Sequence, residues 1–233
     1  MDRITRNKLK TDRFAVEVEH SVEFVAEHRK QVIQYGAIAV VVALIVAGIW
    51  YYRSRQSEQR QEELAKAMEI IQAPVSAGAP PGQLFFTTEA LKSAAAEKAF
   101  KPIYEKYSGT PEAIIAASYL GAISADQGKL ADAEKYFRQV ADSGDSNYSS
   151  MGKLSLAQVL LSTGKNAEAE KLLRSLHDNP TLFVSKEQAA IALARALAVS
   201  KPAEARKLLE PLRTERPAVS QTAITLLAEL PAQ

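Results

Sequence analysis

The spacing of apolar residues changes character three times along this chain. In residues 13–30, Phe14, Val18, Val22 and Val25 recur at intervals of four, four and three, with Glu17, Glu19, Glu23 and Glu27 on other faces. That is the pattern of an amphipathic helix. Such a helix lies on a membrane surface, docks on a partner, or continues the next helix as a solvated stalk. Residues 31–52 then run for 22 positions without a charge, mostly Val, Ile, Leu, Ala and Gly in the middle, between Lys30 and the pair Arg53 and Arg55. At ~1.5 Å per residue the run reaches roughly 33 Å, enough for the ~30 Å apolar core of a bilayer. Tyr35 near one end and Trp50, Tyr51 and Tyr52 at the other sit where amphipathic rings favour the headgroup level. The run is too long for a cleaved signal, and no small-residue cleavage site follows Trp50. A core helix of a soluble protein would carry a polar stripe, and residues 40–46 have none. The pattern therefore predicts one transmembrane helix.

Residues 53–71 read as a continuing helix rich in Gln, Glu and Arg. Residues 73–83, with three prolines and two glycines, break it into a loop or linker. From Thr87 onward the chain reads as short amphipathic helices separated by turn signals. Ala, Leu, Glu and Lys dominate, as helices prefer, and no strand-like alternation occurs.

This second half repeats itself. Gly128-Lys-Leu-Ala-Asp-Ala-Glu-Lys-Tyr-Phe137 aligns with Gly164-Lys-Asn-Ala-Glu-Ala-Glu-Lys-Leu-Leu173 and with Ser200-Lys-Pro-Ala-Glu-Ala-Arg-Lys-Leu-Leu209. Ala133, Ala169 and Ala205 are each 36 residues apart, and a fainter copy lies around Ala99 and ends in Gly109-Thr-Pro111. The spacing resembles helix–turn–helix repetition of the tetratricopeptide type, whose period is ~34. Small residues Gly121 and Ala157 on the first helix of a pair face Ala133 and Ala169 on the second, so the helices approach closely. Phe137, Leu173 and Leu209 fill the space between repeats, and Pro180 and Pro217 mark repeat boundaries. In the third copy the first-helix small position is Leu193, so its packing must differ. The expected fold is all-α: a single N-terminal transmembrane helix followed by a tetratricopeptide-like α-solenoid. Its parts are a tail (1–30), the span (31–52), a polar helix and Pro/Gly-rich linker (53–86), and a repeat domain (87–233) whose last helix, 219–230, caps the stack.

Composition narrows the function. Cysteine is absent, which excludes disulfides, thiol nucleophiles and Cys-based zinc sites. Residues 1–55 carry a net +3 and residues 56–233 a net −1. A near-neutral, mixed-sign second half does not suit phosphate-dominated binding, so no nucleic-acid partner is expected. There is no phosphate-cradling glycine loop, no HExxH, and no Ser/His/Asp or Cys/His arrangement. His20 and His28 are eight apart, too far for an i, i+4 metal pair, and His177 stands alone. Carboxylates such as Glu134, Glu168 and Glu170 read as solvated helix faces. No catalysis, cofactor, metal or small-molecule substrate is expected, and protein binding is the natural role of stacked helix pairs, whose apolar faces leave a concave side.

Projecting the repeat onto the chain places Ile115, Ser118, Ala122, Met151, Leu154, Gln158, Leu161, Ala190 and Ala194 toward that concave side, some of them shared with the core. The groove is mildly apolar and suits a hydrophobic peptide or partner helix. Within the span, Ala39, Ala43 and Ala47 share one face at i, i+4 and i+8, a spacing that lets membrane helices pack closely. The tail holds seven Lys/Arg and the twenty residues after the span hold four, which favours a cytoplasmic N-terminus.

The whole layout resembles the YfgM-like family of bacterial inner-membrane proteins, ancillary subunits of the SecYEG translocon. The resemblance rests on the amphipathic piece Val16-Glu-Val-Glu-His-Ser-Val-Glu-Phe-Val25 and on the aromatic-basic end of the span, Gly48-Ile-Trp-Tyr-Tyr-Arg-Ser-Arg55. It rests also on the polar helix and on the repeats that follow. It implies a single-pass protein with a cytoplasmic N-terminus and periplasmic repeats, in contact with translocon subunits and a membrane-anchored periplasmic chaperone of the prolyl-isomerase type. It implies no catalytic residues. The function expected is a membrane-tethered adaptor linking the Sec translocon to chaperones or emerging polypeptides. The alternative is an envelope scaffold coordinating cell-division or outer-membrane assembly complexes.

Overall fold

A computed structural model describes residues 29–78, 80, 82–215 and 217–231. The amphipathic pattern expected over 13–30 lies outside them except for its last two residues, as do His20 and His28. Among the described residues nine helices account for the fold: α1 (Arg29–Gln72), α2 (Glu89–Lys106), α3 (Pro111–Asp126), α4 (Leu130–Ala141), α5 (Ser146–Ser162), α6 (Asn166–Asp178), α7 (Lys186–Leu197), α8 (Pro202–Glu215) and α9 (Pro217–Glu229). The chain divides into two compact units, Met1–Glu58 and Gln59–Gln233.

The described part of the first unit is the apolar stretch of α1. Its most apolar window of 18 residues has a mean hydropathy of 2.2 and none of it is buried in protein, so this one helix is long and apolar enough to cross a membrane. Ala39, Ala43 and Ala47 are all exposed on it. At its polar end the aromatic residues are tied to the basic and amide residues one turn on. Arg55 Nε donates to the Tyr51 hydroxyl at 3.2 Å and Gln56 Nε2 donates to the Tyr52 hydroxyl at 2.9 Å.

The second unit is an α-solenoid in which each helix packs chiefly on its neighbours in sequence, with lighter contacts between α3 and α5, α5 and α7, and α7 and α9. The repeated Gly-Lys turns explain the pairing. Gly128 and Gly164 take φ of 74° and 77°, the left-handed region that glycine enters without a Cβ penalty. Each then ends its helix in the same way. The Lys129 N–H donates to Ser124 O and the Lys165 N–H to Leu160 O, both at 2.8 Å, so carbonyls left over at the helix end are satisfied. The third copy has Ser200 where glycine stood, with no positive φ, and Lys201 N–H donates to Leu197 O at 2.8 Å instead. Helix starts follow side-chain caps: Thr88, Thr110 before Pro111, Asp145, and a Ser185–Gln188 capping box.

The final turns of α1 belong to this unit. Ala67 is buried, and Leu64, Met68, Ile70 and Ile71 pack against a cluster built from Ala96, Phe100, Ile103, Tyr107, Ala116 and Leu120. The end of α1 and α2 thus make a first helix pair. The residues between them, which the sequence marks as a loop or linker, form its connector. It is closed on itself: the Ser76 N–H donates to Phe86 O at 2.9 Å and the Phe86 N–H to Pro74 O at 3.0 Å, an isolated bridge between Val75 and Phe86. The larger core cluster runs from Ala133 to Leu230. It contains Ala133, Ala157, Ala169, Leu173, Ala205 and Leu209, each at most 1% exposed, with Leu193 also buried.

Candidate protein-binding groove

The three first-position helices α1, α3 and α5 leave an apolar groove of about 590 Å³ between them. From α1 come Leu64 and Met68, one turn apart; from α3 Ile115, Ser118, Tyr119 and Ala122; from α5 Tyr148, Met151, Gly152 and Ser155; and Phe137 of α4 supplies part of the lining. The spacings i, i+3, i+4 and i+7 on α3 are those of one helix face. The walls are fixed from behind. Tyr119 stacks on buried Phe100 with ring centroids 4.7 Å apart and planes 7° from parallel. Phe137 lies against Gly121, where an added Cβ would come within 2.7 Å of the ring. No Lys, Arg, Asp or Glu lines the groove, and the Ser118 hydroxyl already donates to Ile114 O at 3.0 Å.

Of the residues projected onto the concave side, Ile115, Ser118, Ala122 and Met151 line this groove. The others are placed differently. Leu154 and Leu161 are half-buried against the larger core, Gln158 is exposed, and Ala190 and Ala194 are buried within that core. Ala190 faces His177 of α6 and Leu208 and Leu212 of α8, while Ala194 lies beside the C-terminal helix. α9 packs on α8 and reaches α7, and its Thr222 and Leu226 face the same recess as Ala194. The stack is closed there. Leu64 and Met68 were missed, though Leu64, Ala67, Met68 and Ile71 keep an i, i+3, i+4, i+7 stripe inside the polar helix. Tyr148 was missed because its place depends on how α5 meets α4.

Charge sits outside the groove. Arg60 of α1 pairs with Glu112 of α3 at 3.2 Å, with Glu112 itself buried. Lys106 and the Tyr107 hydroxyl both donate to Glu63 Oε1 at 2.9 Å, and the Lys106 hydrogen bond above all holds the Glu63 carboxyl below its ordinary range. The carboxylates read from sequence as solvated are instead partnered between repeats. Lys165 reaches Glu134 at 2.7 Å, and Arg138 bridges Glu134 and Glu168, each at 2.9 Å. One repeat later Lys201 reaches Glu170 at 2.7 Å, and Arg174 bridges Glu170 at 2.8 Å and Glu204 at 2.6 Å. All four members recur 36 residues on. Glu134 and Glu170 are held below the usual carboxylate range, first by their lysine and then by their arginine. His177 meets Asp178 at 3.4 Å. Among the described residues no group of three or more His, Asp or Glu is placed to hold a metal ion.

Neither a curated protein nor a solved structure matches the chain. One protein-family model does, described as a tetratricopeptide repeat-like domain, over residues 24–189. The match takes in the apolar helix, the first helix pair and the groove, and stops before Ala205. Domains of this kind are in general protein-interaction modules rather than enzymes. More than half the sequence falls within the match, and the helix pairs it describes are those that build the groove: the chain belongs to the tetratricopeptide repeat-like domain family.

Proposed function

We propose that this protein is a membrane-tethered adaptor of the bacterial inner membrane, with its N-terminus in the cytoplasm and its repeats in the periplasm, linking the Sec translocon to periplasmic chaperones or emerging polypeptides. The observation that carries the reading is the uncharged groove between α1, α3 and α5, which presents leucine, isoleucine, methionine and tyrosine side chains. The exposed apolar stretch of α1 supports the tether, and the excess of Lys and Arg before it supports the orientation. The resemblance to YfgM-like proteins supports the choice of partners. Tethering raises the local concentration of a partner in the same membrane, so a shallow groove with modest intrinsic affinity suffices.

The test is photocrosslinking of the full chain in its native membrane, with photoreactive side chains at Met151 and Ser155 in the groove and at Ala43 in the span. Adducts from Met151 and Ser155 to a periplasmic chaperone or a secreted polypeptide, and from Ala43 to translocon subunits, are expected. Adducts from all three positions to cell-division or outer-membrane assembly proteins would replace this reading with an envelope scaffold.

A further inference from the structure

Among the described residues, sulfur is confined to the groove. The chain has no cysteine and three methionines, and apart from Met1 these are Met68 and Met151. Far apart in sequence, they stand on α1 and α5, and both line the same recess of about 590 Å³. Each is half-buried and follows or precedes a buried small residue, Ala67 or Gly152. Packing does not explain the choice of residue. No methionine is among the buried residues of either core cluster, where leucine, isoleucine, valine, alanine and aromatic residues fill the space. Met68 only leans on the first cluster from outside. Leucine and methionine are close in volume and exchange in packed sites at little cost. What methionine adds over leucine at these two places is a thioether within reach of small molecules that enter the recess.

Methionine is an apolar side chain that a mild oxidant turns polar and a reductase turns back. We infer that the groove is a site of reversible methionine oxidation, in which a peroxide converts the Met68 and Met151 thioethers to sulfoxides, turns the recess polar and so weakens its hold on apolar partners. In the forward step a sulfur lone pair attacks one peroxide oxygen. An S–O bond forms as the O–O bond breaks. Sulfur gives up two electrons, and the departing oxygen, reduced, takes the proton of the transferred one and leaves as water. In the reverse step two thiols of a reductase become a disulfide, and the sulfoxide oxygen leaves as water. The position of the two residues gives this chemistry its effect. A sulfoxide oxygen is a hydrogen-bond acceptor, no Lys or Arg lines the recess to meet it, and the Ser118 proton is already given to Ile114 O. Water in the open groove meets it instead. An apolar group seated there strips that water away without replacing it. Because both methionines lie beside the core clusters and not within them, the fold itself need not enclose the new oxygen. The inference rests on the reading of the groove as protein-binding and names its regulation.

The experiment uses the full chain in lipid nanodiscs, treated with hydrogen peroxide beside a free methionine peptide as internal standard. Peptide mass spectrometry should find sulfoxide at both Met68 and Met151, formed within roughly ten-fold of the standard's rate, as accessible thioethers react. Circular dichroism should show the helices intact. The polarity of the recess is read by a dansyl group on Ala122→Cys, the sole thiol in that variant. Its emission should shift to the red on oxidation and return when methionine sulfoxide reductases for both sulfoxide epimers are added. The double variant Met68→Leu/Met151→Leu, close in volume to the unaltered chain, should fold alike and show no shift, which also controls for oxidation of the label. In the native membrane, peroxide should lower the yield of adducts from a photoreactive side chain at Ser155 about ten-fold, the scale of one unpaired polar group in a contact. The double leucine variant should keep its adducts. Three results would overturn the inference: both thioethers intact when the standard is consumed, sulfoxides that form only after helicity is lost, or an equal red shift in the double leucine variant. Ser155 adducts undiminished with both sulfoxides in place would also overturn it and leave the groove reading standing. Sulfoxides and a red shift in a chain whose Ser155 gives no adducts even before oxidation would bring down the groove reading and leave the oxidation site.

Discussion

Gly152 shows how a single missing side chain sets the distance between repeats. A Cβ built there would lie 2.7 Å from Val140 C and closer still to the Ala141 nitrogen, both backbone atoms at the end of α4. Beside it the Ser149 hydroxyl donates to Ala141 O at 2.5 Å, satisfying a carbonyl at that helix end. Gly121 is also confined, but by the Phe137 ring, which can tilt. Alanine at a helix-interior glycine gains about 0.5–1 kcal/mol of backbone entropy, while overpacking costs typically ~1–3 kcal/mol. Where backbone must move, the cost wins. We expect Gly152→Ala to lower stability toward the upper end of that range, and Gly121→Ala to change it by less than about 1 kcal/mol. Urea denaturation of the two variants measures the difference, and equal effects would contradict the packing described. Nothing in the local sequence marks Gly152, because what it touches is backbone contributed by another helix. Gly128 and Gly164 were legible because their need for positive φ is local.

At the scale of elements, the second helices of successive pairs are joined by the Glu–Arg–Lys–Glu set that recurs with the repeat. Its spacing is visible in the sequence, yet its partners are 30 and 31 residues apart, so each carboxylate looks unpartnered until the helices are stacked. The set has a consequence for acid stability. The carboxyls of Glu134 and Glu170 are held below their ordinary value of 4.5 by lysine and arginine. The unfolded chain therefore takes up protons before the folded one as pH falls. The contribution is complete above the ordinary carboxylate range and is lost as pH drops through the depressed folded values. Melting temperature should be flat from neutral pH down to about 5 and then fall. In the double variant Glu134→Gln/Glu170→Gln the acid-side fall should be shallower, the two curves converging at low pH; parallel curves would show that these pairs do not link to folding. The pairs are solvent-accessible, so the effect should shrink in 1 M salt, where the screening length is ~3 Å.

For the whole molecule the informative feature is where the second compact unit begins, at Gln59. Residues 59–72 carry no Gly-Lys turn and no repeat alanine, but they supply Leu64, Ala67 and Met68 to the first core cluster and Arg60 to buried Glu112. A fragment spanning residues 59–233 is expected to melt cooperatively. A fragment spanning 87–233 loses one wall of the groove, exposes Phe100, Ile103 and Tyr107, and leaves Glu112 without its arginine. It should melt lower and self-associate, as large exposed apolar patches do. Differential scanning calorimetry with light scattering compares them, and indistinguishable melting would place the last turns of α1 outside the folded unit.

The sequence by itself determined the all-helical class, the apolar helix and the helix-pair repeat, because each is written in short-range patterns: an uncharged run, a turn glycine, an alanine recurring at a fixed interval. Of the nine residues that the repeat projects toward the concave side, Ile115, Ser118, Ala122 and Met151 lie along the recess between α1, α3 and α5, whereas Leu154 and Gln158, at the same helical spacing from Met151, do not. Only the tertiary structure decided that α1 ends inside the solenoid, that α8 covers Ala190 and α9 lies beside Ala194, and that Phe183 packs on Tyr148 at the groove. Those outcomes depend on which helix end meets which, and the energies that settle it come from packing between residues far apart in the chain.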